Sequence, residues 1–230
     1  MVAKVPWVPK VPARGVRMRP TMKLLIIGGT SGTGRQCVTQ ALEAGHEVTI
    51  LARDASKVAT EHPRQRVVQC DATAAAASLA EPMRGQDAVV SAIGRGYSFK
   101  SEHLIARSVP GILAAMKSAE VRRLMFTSAL GVGPSFSDAP LAAKIFFLTL
   151  LRGIYADKLV GDRLIRASDL EWTIVQPAQL NDGPLTKRYR SGERLAMSGM
   201  PQISRADTAH FILDRINDPA TIRKTLIVSK

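Results

Sequence analysis

A cluster of glycines follows a short apolar run near residue 24. The chain reads LLIIGGTSGTGRQ from residue 24 to residue 36. A strand that ends in glycines and opens a helix lets the backbone approach a pyrophosphate, whose charge the helix-start N–H groups stabilise. Arg35-Gln36 stands where a Walker A loop would have Lys-Ser/Thr, which excludes that loop. We predict dinucleotide binding rather than a merely structural tight turn, through Gly28, Thr30, Ser31, Gly32, Thr33 and Gly34.

The second apolar run ends in a cation rather than a carboxylate. An acidic residue there would accept the ribose hydroxyls of NAD and repel a 2′-phosphate. Here Leu51-Ala52 leads to Arg53, and Lys57 follows Asp54. Because a guanidinium suits a phosphate geometrically, we predict NADP(H) in preference to NAD(H), with Arg53 and Lys57 as contacts. A solvated Arg53 is the alternative, and Asp54 is expected to cap a helix.

Apolar runs alternate with helical patterns along the chain. The expected strands are Lys23–Ile27, Glu47–Ala52, Val67–Gln69, Ala88–Ala92, Leu124–Thr127, Trp172–Gln176 and Thr225–Val228. The expected helices are Arg35–Ala44, a short one after Asp54, Ala74–Met83, Glu102–Ala119, material between Leu141 and Ala167, and Arg205–Ile216. Strands separated by helices are typical of a parallel sheet covered on both faces. We predict an α/β fold, a doubly wound parallel sheet of the Rossmann type, in a single domain with a small C-terminal elaboration on the substrate side.

The composition excludes several classes of protein. Of 230 residues, 46% are hydrophobic and 22% are charged, which excludes wholesale disorder. Two cysteines exclude a disulfide scaffold and a cysteine-cluster zinc site, and the four histidines show no metal-ligand spacing. No apolar stretch reaches the roughly 18 residues of a membrane span. We expect a cytoplasmic monomer or homodimer without a metal.

The chain is strongly basic, with 32 Lys and Arg against 19 Asp and Glu and a net charge of +13. Such a balance alone suggests nucleic acid, an acidic membrane surface or an anionic ligand. Five basic residues and no acidic residue fall in residues 1–21, interleaved with prolines. We predict a flexible extension there, with a targeting or binding arm as the alternative, before a domain of residues 22–230. No specific nucleic acid is expected, because no recognised motif accompanies the charge.

The glycine segment resembles that of short-chain dehydrogenase/reductase proteins, with the Gly-x-x-x-Gly-x-Gly spacing of their main branch. The rest of the chain resembles the atypical branch that includes flavin reductase (biliverdin IX-beta reductase) and NmrA-like proteins. The stretches that carry this resemblance are Gly85–Val90, Ala115–Lys117, Phe126–Ala129, Leu170–Pro177 and Asp182–Thr186. Many atypical members have glycine at the position of Ser31 and leave that of Gly32 variable.

The resemblance implies further cofactor contacts. Arg53 resembles the 2′-phosphate clamp of the flavin reductase branch, and Asp71 resembles the family's adenine-side aspartate. Ligands of such folds lie beyond the carboxyl ends of the strands. The remaining contacts would come from Ala92, Ile93, Gly94, Thr127 and Pro177, with routine strand-end packing as the alternative.

The catalytic candidates by resemblance are Ser128, Tyr155 and Lys158. The main branch uses a serine with Tyr-x-x-x-Lys, and Ser128 stands at the serine position. Tyr155 precedes Lys158 by only three residues, which rotates it from the usual line because each helical residue turns about 100°. The alternative role of Tyr155 is packing between helices, and the alternative for Lys158 is a solvated position on the surface. Asp157 and Asp162 are expected to neutralise Lys158 and Arg163.

The resemblance implies an NAD(P)H-dependent oxidoreductase that transfers hydride from NADPH to a small conjugated acceptor, namely a flavin, a quinone or a tetrapyrrole-like molecule. A non-catalytic NADP-binding regulator of the NmrA-like type is one alternative. An enzyme similar to nucleotide-sugar epimerases or dehydratases is another.

Two loops and one apolar segment are candidates for the acceptor pocket. The loops Gly94–Phe99 and Ala129–Pro140 would form its rim. The segment Leu141–Leu151 is apolar on all sides. It predicts a core or subunit-interface helix, with a pocket wall or membrane-surface attachment as alternatives.

Overall fold

The apolar runs form strands that lie side by side in a central sheet. The strands are β1 (Lys23–Ile27), β2 (Glu47–Ala52), β3 (Gln65–Gln69), β4 (Ala88–Ser91), β5 (Arg123–Thr127), β6 (Glu171–Pro177), β7 (Gln179–Asn181), β8 (Arg190–Gly192), β9 (Gln202–Ser204) and β10 (Lys224–Ser229). Eight of them are hydrogen-bonded in the order β3-β2-β1-β4-β5-β6-β10-β8, and all pairs are parallel except β8 with β10. Strands β7 and β9 pair in parallel outside this sheet. The order confirms the predicted doubly wound α/β Rossmann fold.

The computed structural model describes residues 5–6, 21–58, 60–94, 102–137, 144 and 151–230. The predicted apolar helix Leu141–Leu151 and the rim loop Gly94–Phe99 fall almost entirely outside this part of the chain. Residues 1–4 and 7–20 of the predicted extension do so as well. Val5–Pro6 is described, and it pairs in parallel with Thr60–Glu61. No described helix is long and apolar enough to cross a membrane.

Five helices of the described residues cover the two faces of the sheet. They are α1 (Gly32–Glu43), α2 (Ala76–Met83), α3 (Leu104–Ser118), α4 (Arg152–Arg166) and α5 (Arg205–Arg215). Successive residues of β1 alternate between two cores: Leu24 and Ile26 pack with α1 and α5, whereas Leu25 and Ile27 pack with α2 and α3. All four side chains are fully buried, and each stabilises the fold by about 1.5–3 kcal/mol.

Some boundaries differ from those predicted. Helix α1 begins at Gly32 instead of Arg35, so the last two glycines lie in its first turn. Strand β3 begins at Gln65, two residues earlier than predicted. The sequence missed its start because this edge strand exposes polar side chains, which mask the alternation of apolar and polar residues. Strands β7, β8 and β9 were not predicted, since each has only three residues. The short helix after Asp54 is a single 3-10 turn, and the Asp54 carboxylate caps it by accepting from Ser56 N at 3.0 Å.

One buried carboxylate anchors the C-terminal elaboration. Asp207 in α5 accepts hydrogen bonds from Thr186 N at 2.8 Å, Thr186 Oγ1 at 2.7 Å and Lys187 N at 2.7 Å. Burial alone would raise the pKa of Asp207, but these hydrogen bonds outweigh it and lower that pKa. The loop between β7 and β8 is therefore fixed to the first turns of α5.

A buried guanidinium joins three elements at the amino edge of the sheet. Arg123 Nε donates to Ile216 O at 2.7 Å, one terminal nitrogen donates to Glu171 O at 2.7 Å, and the other donates to Arg215 O and Thr221 Oγ1. Burial lowers the pKa of Arg123 to about 10, so it remains a cation at neutral pH. The end of α5 is thereby tied to β5 and β6.

Arg123→Met should lower the free energy of unfolding by about 3 kcal/mol, because it leaves buried carbonyl oxygens without a donor. The matched control is Arg122→Met. Arg122 is 65% exposed and pairs with Glu171 at 3.2 Å on the surface, so its loss should change stability by less than about 0.5 kcal/mol. Urea denaturation of both variants measures the difference. Equal destabilisation would contradict the structural role of Arg123.

Candidate functional site

The glycine turn brings three pieces of backbone into contact. Gly28 has φ +84°, and a Cβ placed on it would lie 2.7 Å from Ala92 O. A Cβ on Gly34 would overlap the carbonyl group of Gly28. Only glycine fits at these two positions, so the first turn of α1 lies directly against the ends of β1 and β4.

The start of α1 has the properties of an anion site. Ser31 is the N-cap in an extended conformation, and its side chain makes no capping hydrogen bond. The hydroxyl of Thr33, in the first turn, is buried and has no partner among the described residues. The N–H groups of a first helical turn lack intrahelical partners and attract negative charge. These are the properties that the predicted phosphate site requires, and phosphate binding at this turn stays a prediction.

The predicted adenosine contacts follow the neighbouring strands β2 and β3. Arg53 is exposed at the end of β2. Asp71 accepts from Thr73 N and Thr73 Oγ1, both at 2.7 Å, and these bonds, with smaller contributions from the charges of Arg53 and Arg107, lower its pKa. Arg53 and Asp71 are thus close enough for their charges to interact. Lys57 is 71% exposed and pairs with Asp54 at 3.7 Å.

The segment after β4 reaches the same edge of the sheet. Ala92 N donates to Ile27 O at 2.9 Å, and its carbonyl is the group that faces Gly28. Ile93 is buried, and Gly94 is the last described residue before the gap at residue 95. Ala92 therefore packs against the glycine turn, beside the predicted pyrophosphate position.

Two buried hydroxyls lie where β5 ends. Thr127 and Ser128 are 7% and 3% exposed, and the Thr127 hydroxyl has no hydrogen-bond partner among the described residues, whereas the Ser128 hydroxyl acts on the carboxyl of Asp162. Ser128 N donates to Val175 O at 2.8 Å, which ties it to β6. Pro177 ends β6, and its carbonyl accepts from Leu130 N at 3.0 Å. Burying a hydroxyl without a hydrogen-bond partner costs free energy, unless a bound ligand supplies the missing hydrogen bond.

Helix α4 places both further catalytic candidates against this loop. Tyr155 OH donates to Leu130 O at 2.8 Å, and burial raises its pKa. Lys158 Nζ donates to Ser128 O at 3.3 Å. Burial lowers the pKa of Lys158, while the charges of Asp162 and Asp157 act in the opposite direction. The structure therefore brings Ser128, Tyr155 and Lys158 together at one end of the sheet.

The two aspartates of α4 have roles that the sequence did not indicate. Asp157 caps α3, because its carboxylate accepts from Ile105 N at 3.0 Å and Ala106 N at 2.8 Å. Both aspartates still act on Lys158 through their charges. Asp162 does not take the expected partner Arg163.

Asp162 is fully buried beside β6. Its Oδ2 lies 4.0 Å from an Arg166 nitrogen and accepts from Gln176 Nε2 at 3.3 Å. Burial raises the pKa of Asp162, while hydrogen bonding by the Ser128 and Gln176 side chains and the charges of Lys158 and Arg166 act in the opposite direction.

Sequence reasoning missed one cation near the glycine turn. Arg205, the first residue of α5, has its Nε 3.6 Å from the position that a Cβ on Gly32 would occupy. The two residues are far apart in sequence and meet because α5 packs on α1. No local motif marks Arg205, so only the tertiary structure could show it. Among the described residues, no group of three or more His, Cys, Asp or Glu could hold a metal ion.

Comparisons with known proteins agree with this geometry. A family model described as NAD(P)H-binding matches residues 28–219. The Bacillus subtilis protein YwnB is 27% identical over 208 residues, which cover 86% of this chain and 93% of YwnB.

Solved structures are similar over most of their length. The oxidoreductase ylbE from Lactococcus lactis has a TM-score of 0.76 and 20% identity, with 90% of each chain covered. ChuY from Escherichia coli O157:H7, described as an anaerobilin reductase, has a TM-score of 0.73 and 22% identity, with 90% of this chain and 96% of ChuY covered.

These structural neighbours share the fold. The family model spans the glycine turn, both helical layers and the carboxyl ends of the central strands. The resemblance to atypical short-chain dehydrogenase/reductase proteins is confirmed, and the chain belongs to the NAD(P)H-binding family.

Proposed function

We propose that the chain is an NADPH-dependent oxidoreductase that transfers hydride to a small conjugated acceptor. One observation carries this proposal: the glycine turn and the Ser128–Lys158 contact lie at the same edge of the sheet. Ligands of doubly wound sheets lie beyond the carboxyl ends of the strands, at the point where the strand order reverses. Here that point lies between β1 and β4, beside both features.

A dinucleotide fits the residues of this edge. The backbone contact between Gly28 and Gly34 leaves no room for a Cβ, and the Thr33 hydroxyl has no hydrogen-bond partner in the described part of the chain. The residues that would hold the dinucleotide are Gly28, Thr30, Ser31, Gly32, Thr33, Gly34, Arg53, Lys57, Asp71, Ala92, Ile93, Gly94, Thr127 and Pro177. Bound NADPH would supply the hydride, and the reduced acceptor would take its proton from solvent, so the chain's own residues need only position the acceptor against the cofactor.

The catalytic candidates then have different tasks. The Ser128 hydroxyl is buried at the end of β5 and is suited to orient the acceptor. Lys158 donates a hydrogen bond to the carbonyl oxygen of Ser128 and so holds the Ser128 backbone in place. The Tyr155 hydroxyl donates to Leu130 O, and a raised pKa opposes the loss of its proton. We therefore assign Tyr155 mainly to holding the loop after β5.

The hydrogen bond from Tyr155 OH to Leu130 O also favours a second candidate function. A regulator of the NmrA-like type binds NADP without turnover, and it needs no tyrosine that exchanges protons. An epimerase-like or dehydratase-like enzyme would instead act on a nucleotide sugar. Turnover separates the three functions, because only the reductase consumes NADPH in proportion to the acceptor.

The acceptor screen follows NADPH oxidation at 340 nm with FMN, quinones, biliverdin and UDP-glucose as probes. Turnover with a flavin, quinone or tetrapyrrole is expected. Gly34→Ala is the control, because its Cβ would overlap the Gly28 carbonyl group, push the first turn of α1 away from β1 and abolish cofactor binding. Tight NADPH binding without turnover of any probe would support the regulator. Conversion of UDP-glucose without net NADPH oxidation, detected by chromatography of the sugar nucleotide, would support the epimerase-like enzyme.

Arg53→Ala should weaken NADPH binding by about 10- to 100-fold, the loss expected for charge-assisted contacts to the 2′-phosphate. NADH binding should change by less than about threefold, because NADH lacks that phosphate. Titration calorimetry of the parent and the variant gives the four affinities. Lys57→Ala is the matched control for lost charge and should have a smaller effect, since Lys57 pairs with Asp54. Equal affinities of the parent for NADPH and NADH would disprove the preference.

The pH dependence tests the role of Lys158. If its charged form supports catalysis, kcat/KM should fall as pH rises through a pKa below the ordinary lysine value, since burial lowers that pKa. Asp162→Asn removes a charge that raises the pKa of Lys158, so the fall should move to lower pH.

Asp169→Asn is the control. It replaces an exposed aspartate farther along the chain and should leave the pH profile of kcat/KM unchanged. Tyr155→Phe should retain kcat/KM within about threefold, whereas Lys158→Met should lose about tenfold or more. An identical pH profile for the parent and Asp162→Asn would show that Asp162 does not act on Lys158.

A further inference from the structure

The chain that follows β5 runs beside the end of β6 but loses one of its strand partners. Ser128 N donates to Val175 O at 2.8 Å, and Leu130 N donates to Pro177 O at 3.0 Å. In a parallel ladder the carbonyl of Ser128 would accept from the N–H of residue 177. Residue 177 is a proline, which has no N–H group, so the Ser128 carbonyl needs a donor from elsewhere.

Side chains supply donors to alternate carbonyl oxygens of the segment Ser128–Val132. The three hydrogen bonds run from Lys158 Nζ to Ser128 O at 3.3 Å, from Tyr155 OH to Leu130 O at 2.8 Å and from Gln176 Nε2 to Val132 O at 2.9 Å. Lys158 and Tyr155 belong to α4, whereas Gln176 belongs to β6. The position of this segment therefore depends on side chains as well as on the sheet.

Gln176 holds the part of this segment whose backbone has the most freedom. Val132 lies between Gly131, with φ +89°, and Gly133, with φ +68°. Two glycines in the left-handed region leave this part of the backbone with few steric restraints of its own. The Val132 carbonyl accepts from Gln176 and also from Ser135 Oγ at 3.3 Å, and Val132 is buried. These contacts fix the first part of the predicted pocket rim.

The amide of Gln176 is better suited to this task than to packing. Gln176 is fully buried, and its Oε1 has no hydrogen-bond partner among the described residues. Burying that oxygen costs free energy, which an apolar side chain of similar size would avoid. Its Nε2 uses both N–H groups, one to Val132 O and one to Asp162 Oδ2 at 3.3 Å. The Asp162 carboxyl thus orients the amide nitrogen towards the Val132 carbonyl.

We propose that Gln176 positions the pocket rim for the acceptor, and that Asp162 orients Gln176 for this role. The inference rests on the proposed function, because it requires that the acceptor binds beside Ser128. It adds a positioning residue on β6 to the two donors of α4. Without the Gln176 donor, binding of the acceptor must also order the rim, which weakens that binding. Once the acceptor is bound, the rim and Ser128 again have the geometry for hydride transfer.

Gln176→Met removes the N–H groups and keeps the length of the side chain. The KM of the best acceptor probe of the screen, whether FMN, a quinone or biliverdin, should rise by about fivefold or more. Both kcat and the dissociation constant of NADPH should stay within about threefold, because Gln176 contacts the rim and not the reacting atoms. Gln179→Met makes the same change at an exposed position of β7 and should leave all three values unchanged. Thermal melting verifies that each variant is folded.

Two further measurements test the support of the rim directly. Hydrogen exchange of peptides that cover residues 129–137 should accelerate by about tenfold in Gln176→Met and remain parental in Gln179→Met. Ser135→Ala removes the second donor to Val132 O, together with the hydroxyl that accepts from Gly131 N at 2.9 Å. It should therefore raise KM in the same way as Gln176→Met, while kcat is retained.

Gln176→Glu keeps the shape of the side chain and replaces its NH2 group by oxygen. As a carboxylate it cannot donate to Val132 O, and it faces Asp162, on which the charges of Lys158 and Arg166 also act. The KM relative to the parent at the same pH should be high at about pH 8 and approach the parental value at about pH 5, where a buried carboxyl regains its proton and can donate. A packing role of Gln176 predicts no such pH dependence.

Several results would overturn the proposal. A parental KM in folded Gln176→Met would show that Gln176 does not position the rim for the acceptor. A raised KM with parental hydrogen exchange of residues 129–137 would show that Gln176 acts elsewhere, and a pH-independent KM ratio of Gln176→Glu would assign Gln176 to packing. A parent that turns over no probe would overturn the proposed function and this inference with it, whereas failure of Gln176→Met alone leaves the proposed function intact.

Discussion

The contact between the backbones of Gly34 and Gly28 determines where the polar residues of this fold can act. With no side chain at Gly34, the first turn of α1 lies against the end of β1, while Gly28 lies against the carbonyl of Ala92 after β4. A larger residue at either position would push the helix away from the sheet. The free N–H groups of α1 would then move away from the crevice in which β2, β4 and β5 end.

The order of the strands extends this local constraint over the whole edge. The chain runs outward from β1 through β2 to β3, and then returns to β4 on the other side. Helices therefore diverge at this point, with α1 packed on one face and α3 on the other. The crevice between them has cations at its β2 end and buried hydroxyls at its β5 end. This polarity is what the proposed NADPH cofactor requires, because its 2′-phosphate and its nicotinamide ring lie at opposite ends of the molecule.

The sequence predicted the features that depend on neighbouring residues. The glycine turn, the strand runs and the cap at Asp54 each need only a few consecutive residues, so local chemistry reveals them. Strands β7 and β9 are short, and their pairing depends on contacts about twenty residues apart. The capping of α3 by Asp157 and the position of Arg205 depend on the packing of distant helices. Contacts between residues far apart in the chain leave no local sequence pattern, so they could not be predicted from the sequence alone.

The buried charges at the β5 end connect stability to function. Burial lowers the pKa of Lys158 and raises that of Asp162, so it opposes the charged form of both groups. The desolvation of buried charges can cost more than their attraction returns, so these groups are weak evidence of fold stability. Lys158 nevertheless donates to the carbonyl oxygen of Ser128, and the Ser128 hydroxyl acts on Asp162. Titratable groups whose burial is unfavourable and which lie together at the end of β5 are better explained by a role in function than by packing.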